Sequence, residues 1–271
     1  MAPAEPISLT GGTLAAVLFD MDGTLVAVDH LHYEAYADTL QAMEPAWNGG
    51  ERITRDFYAA RMSGRQNQLL LADILPHVSP DRAAEIASAK EAAYMDRTAS
   101  GIPPMRGVND LIKTLTVAGV PVGVVTNAPR HAAAHTLTAA GLADCFSFVV
   151  TADDVARPKP DPAPYVAGCA AVGVEPGQAI AFEDSPSGIA SAVAAGLLTI
   201  GIATGHAPAV LKAAGAALII DDYTDAALVE AMRGWMAGHL RRSVVAADGG
   251  GGRTRAVGNR GAPPTTGGSR L

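Results

Sequence analysis

Two aspartates lie at the end of the first short apolar run in the chain. Asp20 and Asp22 follow the run 15–19, and Gly23 and Thr24 come directly after them. Side chains two residues apart on an extended chain point to the same side, so both carboxylates should face one site. Glycine then permits a tight turn out of the strand. Paired aspartates often mark only a turn, but an apolar strand before this pair and Gly-Thr after it favour a ligand site.

A hydroxyl, an amide and an ammonium group come later in the chain. Thr126 and Asn127 stand at the end of the apolar run 120–126. Lys159 lies in the segment 157–162, where every second residue is a proline that keeps the backbone extended. Such a rigid segment can hold one ammonium at a fixed point, which suits the binding of phosphate. Taken alone, the first two residues also fit a helix cap or turn, and the lysine also fits a solvated loop.

A second acidic pair, Glu183 and Asp184, follows the apolar run 179–182. Adjacent carboxylates in apolar surroundings are costly unless a cation compensates them. Ser185 and Pro186 are typical of the cap and first residue of a helix. A helix therefore explains the serine and the proline but not the two acids, which are candidates for a functional role.

The charges of these groups predict what can bind to them. If the strand ends meet in one crevice, four carboxylates and one ammonium repel a phosphate dianion. A hard dication with oxygen ligands corrects this imbalance, and Mg²⁺ between carboxylate and phosphate is the usual form. The sequence therefore predicts a Mg²⁺ site, and the partner is expected to be a small-molecule phosphate ester. Its candidate metal ligands are Asp20, Asp22, Glu183 and Asp184.

The elements that position these residues alternate between short β-branched runs and longer alanine-rich segments. This alternation predicts a doubly wound, Rossmann-like α/β fold whose parallel sheet is covered on both faces. The predicted strands are 15–19, 120–126, 148–151, 179–182, 198–202 and 217–220.

One long interval breaks the alternation. About a hundred residues without a convincing strand separate the first two predicted strands, and helical patterns cover 31–43, 53–61, 66–74 and 80–97. We interpret 28–99 as an inserted helical cap, with 1–27 and 100–242 as the α/β core and 243–271 as a disordered tail rich in Gly, Arg, Pro and Thr.

Composition and charge exclude several other classes of protein. The chain has 271 residues and a net charge of −7, which argues against a nucleic-acid binder. The apolar runs are too short to cross a membrane, and residues 1–12 have no basic segment followed by an apolar run, so we expect no signal peptide. We therefore expect a cytoplasmic protein that binds neither nucleic acid nor membrane, and that is a monomer or a weak dimer.

The motifs together resemble those of the haloacid dehalogenase superfamily. Within it, the chain is similar to the branch with a helical cap that contains β-phosphoglucomutase and the sugar-phosphate phosphatases. Four motifs occur in the expected order over residues 14–223: Asp20-Met21-Asp22-Gly23-Thr24, Thr126, Lys159 and Glu183-Asp184.

The resemblance implies a role for each motif residue. Asp20 would be the nucleophile that forms an aspartyl-phosphate, and Asp22 the general acid and then the general base. Thr126 and Lys159 would hold the phosphoryl oxygens. Mg²⁺ would bind the Asp20 carboxylate, the Asp22 carbonyl and the Asp184 carboxylate, and Glu183 would either be a further ligand or act from outside the ligand shell.

Three cap residues are further candidates for substrate binding, besides Asn127 in the core. His32 matches a cap-hinge histidine of the sugar-phosphate branch, and Arg65 and Lys90 could meet a substrate phosphate or hydroxyl group. For each of the three, a solvated side chain is the alternative.

The resemblance leaves two kinds of phosphoryl-transfer enzyme open. β-Phosphoglucomutase carries a serine and a lysine just after its second motif, whereas Asn127, Ala128 and Pro129 follow Thr126 here. This departure favours a phosphatase that acts on a small metabolite such as a sugar phosphate, with a β-phosphoglucomutase-type phosphomutase as the alternative. A binding protein on an inactive scaffold is a third possibility, but no motif residue is missing.

Overall fold

A computed structural model describes residues 14–248 of the chain. Its centre is a six-stranded parallel sheet in the order β3-β2-β1-β4-β5-β6, so the first strand lies in the middle. The strands are β1 (Ala16–Phe19), β2 (Val122–Val125), β3 (Phe148–Val150), β4 (Ala179–Glu183), β5 (Leu198–Ile202) and β6 (Leu218–Ile220). The predicted doubly wound α/β fold is confirmed, and each predicted strand is present to within a few residues.

Helices cover both faces of the sheet because its strands are apolar on both sides. The core helices are α5 (Val108–Val117), α6 (Arg130–Ala139), α7 (Ala163–Ala171), α8 (Pro186–Ala194), α9 (Pro208–Ala213) and α10 (Ala226–Asp248). One apolar cluster contains Phe19, Phe182 and Tyr223, and a second on the opposite face contains Leu18 and Tyr165.

Four helices lie between β1 and β2, where the sequence predicts the cap. They are α1 (Asp29–Met43), α2 (Arg55–Arg61), α3 (Asn67–Ile74) and α4 (Pro80–Thr98). The Thr54 and Ser79 side chains accept hydrogen bonds from backbone N–H groups at the starts of α2 and α4. These helices bury an apolar cluster of their own that includes Leu40, Leu70 and Ile86.

Helix α10 changes the expected start of the tail. The sequence predicts a disordered tail from Ser243, but the helix continues to Asp248. The residues 244–247 are Val and Ala, which are compatible with a helix, and the glycine run begins only at Gly249. The rest of the predicted tail, 249–271, lies outside the described residues.

Candidate active site

Three neighbouring strands bring the predicted motif residues to one edge of the sheet. Asp20 follows β1, Thr126 follows β2, and β4 ends at Glu183. β1 lies between β2 and β4 in parallel register. The carboxyl ends of the three strands therefore meet, as expected for a ligand site in an open α/β sheet.

Lys159 lies at the centre of these strand ends. The lysine is buried, and its Nζ donates hydrogen bonds to Asp20 Oδ1 at 2.7 Å, to Glu183 Oε1 at 2.6 Å and to the Val125 carbonyl at 2.7 Å. Burial works to lower the pKa of the ammonium, but the charges of Asp20 and Glu183 outweigh it and raise the pKa above its ordinary value. The lysine is thus a fixed positive charge beside Asp20.

Glu183 is fully buried, and both of its carboxylate oxygens accept hydrogen bonds from protein groups. Its Oε1 also accepts from the Tyr165 hydroxyl at 2.9 Å, and its Oε2 accepts from the N–H and hydroxyl of Ser185 at 3.4 and 3.3 Å. A Cβ at Gly188 would lie 1.9 Å from Glu183 Oε1, so helix α8 can begin here only with glycine at that position. These contacts favour a role for Glu183 in holding Lys159 rather than in binding a ligand.

The sequence reasoning missed two of these supporting residues. Ser185 was recognised as a helix cap, and its side chain does accept from the Gly188 N–H. Neither Tyr165 nor Gly188 belongs to a recognisable sequence motif. Each supports the site through a contact with Glu183, which forms only when β4 packs against α7 and α8.

Asp20 and Asp184 have the properties of metal ligands. One oxygen each from Asp20, Glu183 and Asp184 lies within 4.8 Å of the others. Burial, opposed by Lys159, raises the pKa of Asp20 to about 7, and burial with the charges of Asp20 and Glu183 raises that of Asp184 well above its usual range. The Asp184 carboxylate accepts no hydrogen bond from the described residues, so this cluster fits a divalent cation with oxygen ligands.

Asp22 faces the cap rather than the lysine. Its Oδ2 lies 3.5 Å from Nε2 of His32, and its Oδ1 is buried without a hydrogen-bond donor among the described residues. The His32 ring stacks on Tyr94 with centroids 4.0 Å apart, and its Nδ1 lies 2.9 Å from Nζ of Lys90. Nε2 of His32 is buried and has no hydrogen-bond partner among the described residues, so its approach to Asp22 is a close contact and not a hydrogen bond.

The two cap cations have protein partners. Lys90 is buried and also contacts Glu91 Oε1 at 2.9 Å. The alternative interpretation of Lys90 as a solvated side chain is therefore wrong. Arg65 donates to the Arg61 carbonyl at 3.0 Å and to Asp73 Oδ2 at 2.9 Å. Both side chains line the cavity between the strand ends and the cap. Each already has an acidic partner, so neither is an unpaired cation that could bind phosphate.

Asn127 connects the core to the cap. Its Oδ1 accepts from the Lys159 N–H at 3.0 Å, and its Nδ2 donates to the Gly64 carbonyl at 3.2 Å. The neighbouring Thr126 is buried, and its hydroxyl oxygen accepts from the Ala128 N–H at 3.1 Å. Asn127 is therefore a structural brace as well as a residue of the cavity wall.

A cavity that opens to solvent lies between the strand ends and the cap helices. It brings together every predicted site residue except Glu183, which is sealed beneath Lys159. The predicted residues in its wall are Asp20, Asp22, His32, Arg65, Lys90, Thr126, Asn127, Lys159 and Asp184.

No helix in the described part of the chain is long and apolar enough to span a membrane.

The family profile of haloacid dehalogenase-like hydrolases matches residues 14–196, which include all four motifs. The chain belongs to this family. The predicted resemblance is thereby confirmed, as is the prediction of an enzyme of the phosphatase class, because several curated relatives of this hydrolase are phosphatases.

Relatives and solved structures of the family cover most of the chain. Validoxylamine A 7'-phosphate phosphatase from Streptomyces hygroscopicus subsp. limoneus is 36% identical over 77% of this chain and 93% of its own length. Phosphoglycolate phosphatase from Rhodospirillum rubrum is 32% identical over 77% and 87%. A mutant of CbbY from Rhodobacter sphaeroides, solved in complex with xylulose-(1,5)bisphosphate, has a TM-score of 0.69 and 27% identity over 79% of this chain and 96% of that one.

Proposed function

We propose that this hydrolase is a Mg²⁺-dependent phosphomonoester phosphatase that acts on a small phosphorylated metabolite, such as a sugar phosphate, through an aspartyl-phosphate on Asp20. The observation that carries the proposal is the position of Asp20, with Lys159 against one carboxylate oxygen and Asp22 in the same cavity wall. A nucleophile, a phosphate-binding cation and an acid thus face one space.

In the first step, an Asp20 carboxylate oxygen attacks phosphorus and the bond to the ester oxygen breaks. The leaving oxygen takes a proton from the Asp22 carboxyl group. The Thr126 hydroxyl holds a phosphoryl oxygen, and the positive charge of Lys159 beside Asp20 stabilises the negative charge that develops on the phosphoryl group. The products of this step are the dephosphorylated alcohol, the Asp20 acyl phosphate and the Asp22 carboxylate.

In the second step, the Asp22 carboxylate takes a proton from a water molecule, whose oxygen attacks phosphorus. The bond between phosphorus and the Asp20 oxygen breaks, which releases phosphate and restores both aspartates. Asp22 lines the cavity in which both steps take place.

Mg²⁺ would be held by the carboxylates of Asp20 and Asp184 and by the backbone carbonyl of Asp22. When bound, it supplies positive charge that offsets the carboxylates and the phosphate. Glu183 would act through Lys159, because its oxygens are already taken by protein donors.

The experiment that tests this function measures phosphate release from sugar, glycolate and nucleotide monophosphates with Mg²⁺. Activity abolished by Asp20→Asn and by EDTA supports the proposal and ranks the substrates. Absence of release, together with conversion of β-glucose 1-phosphate after addition of a bisphosphate primer, would instead support the phosphomutase alternative.

A further inference from the structure

Glu91 is a buried carboxylate in the cavity wall that uses only one of its two oxygens. The residue is 6% exposed. Its Oε1 accepts from Lys90 Nζ at 2.9 Å and from Asn67 Nδ2 at 2.7 Å. Its Oε2 is also buried but accepts no hydrogen bond from the described residues. A buried oxygen without a donor is costly, which indicates that a donor comes from outside the protein.

The carboxylate is ionised at neutral pH. Burial works to raise the pKa of Glu91, but the Lys90 charge and the Asn67 donor outweigh it, so the pKa lies below its ordinary value. The acceptor is therefore a full negative charge, which binds a hydroxyl or amine donor and repels an anion.

Glu91 lies in a cavity wall, where a bound substrate is a candidate source of that donor. Glu91 and Asn67 line the cavity that contains Asp20. They also line a neighbouring open pocket, whose wall includes Gln66, Ser88 and Asp153. In the cavity that contains Asp20, the cap side of a substrate thus meets the Asn67 amide and the Glu91 carboxylate.

Lys90 does not reverse this preference. Its ammonium already contacts Glu91 and His32, so the pair carries little net positive charge toward the cavity. A second phosphate at this end of a substrate would face Glu91 without a free cation, whereas a hydroxyl group would complete its hydrogen bonding.

We infer that Glu91 Oε2 accepts a hydrogen bond from a substrate hydroxyl group, and that this residue selects polyhydroxylated monophosphate esters over bisphosphates. The inference rests on the proposed phosphatase function and specifies its substrate class. It makes Glu91 a specificity-determining residue at the end of the substrate remote from the reacting phosphate.

The test compares Glu91→Gln with Glu85→Gln, a matched control on the same helix with an exposed side chain. Glucose 6-phosphate and sorbitol 6-phosphate serve as polyhydroxylated probes, and p-nitrophenyl phosphate as a probe without hydroxyl groups. Glu91→Gln should lower kcat/KM for the better polyhydroxylated probe about tenfold or more relative to that for p-nitrophenyl phosphate. Glucose 1,6-bisphosphate should inhibit Glu91→Gln more tightly than wild type, and Glu85→Gln should change neither quantity.

A purely structural Glu91 would lower kcat/KM for all probes by one factor and would not tighten bisphosphate inhibition, and that result would overturn the inference. A wild-type enzyme that hydrolyses p-nitrophenyl phosphate but neither polyhydroxylated probe would overturn it as well. Failure of the proposed function is distinguishable, because p-nitrophenyl phosphate hydrolysis would then be absent or would persist in Asp20→Asn.

Discussion

At the residue scale, Lys159 holds the reacting carboxylate in place. One ammonium contacts Asp20 and Glu183, which come from two adjacent strands of the sheet. Breaking a buried ion pair by removing one partner leaves the other charge uncompensated, which is far more damaging than losing a surface pair. The lysine therefore contributes to both stability and catalysis, and the two contributions can be measured separately.

We expect Lys159→Met to lower the free energy of unfolding at pH 7 by about 3–5 kcal/mol, because Glu183 stays buried without its cation. In the fraction that remains folded, kcat should fall about 10²–10³-fold, as for loss of one group that stabilises transition-state charge. Urea denaturation and phosphate release measure the two effects. Lys113→Met, which replaces an exposed lysine on α5, is the control. Wild-type stability in Lys159→Met would show that the buried pair is not compensating Glu183.

At the element scale, the turn that leaves β1 is fitted against Asp184. Gly23 has a φ of +85°, and a Cβ at this position would lie 2.0 Å from Asp184 Oδ2. The turn is held further by the Thr204 hydroxyl, which donates to the Gly23 carbonyl at 2.7 Å. A side chain here would push the Asp184 carboxylate away from Asp20.

Gly23→Ala should therefore cost more than the strain of a positive φ alone. Gly119 also has a positive φ, +74°, but no atom lies within 4 Å of a Cβ built there, so Gly119→Ala is the matched control. We expect Gly23→Ala to be less stable than Gly119→Ala by about 1–3 kcal/mol, the range for overpacking. Phosphate release should fall only in Gly23→Ala. Equal thermal unfolding and equal activity of the two variants would contradict this account of the turn.

The packing of the elements also determines which parts of the site can be predicted from the sequence. Asp20, Thr126 and Glu183 could be placed together because apolar runs locate strands, and parallel strands present their carboxyl ends at one edge. The state of Lys90 could not be predicted, because its partner His32 is 58 residues away and meets it only when α1 packs on α4. Tyr165 and Gly188 were missed for a similar reason, since a glutamate's burial and partners are properties of the packed sheet and not of its local sequence.

At the scale of the whole molecule, the acidic cluster links stability to pH and to metal. The pKa of Asp20 is raised in the folded protein from 3.8 to about 7. The folded state therefore binds more protons than the unfolded state between these values, and stability falls as the pH rises through this window. The stabilising contribution of protonated Asp20 is fully present below about pH 4 and is lost as the pH rises past about 7.

In EDTA, wild type should lose about 2–4 kcal/mol of unfolding free energy relative to Asp20→Asn as the pH rises from 4 to 8. Urea denaturation of both proteins across this range measures the difference, which cancels the titration of distant groups. Millimolar Mg²⁺ should raise the stability of wild type at pH 8 more than that of the variant. Parallel pH profiles of unfolding free energy for the two proteins would be inconsistent with a raised pKa of Asp20.

The central claim is that Asp20 carries the phosphoryl group between two steps that both depend on Asp22. Asp22→Asn with p-nitrophenyl phosphate tests it most directly, because this leaving group needs no proton in the first step, whereas the second step still needs the base. After acid quench and proteolysis, mass spectrometry should find one phosphoryl group, labile to hydroxylamine, on the peptide that contains Asp20. Turnover without a phosphoryl group on Asp20, or with it on another residue, would contradict the account.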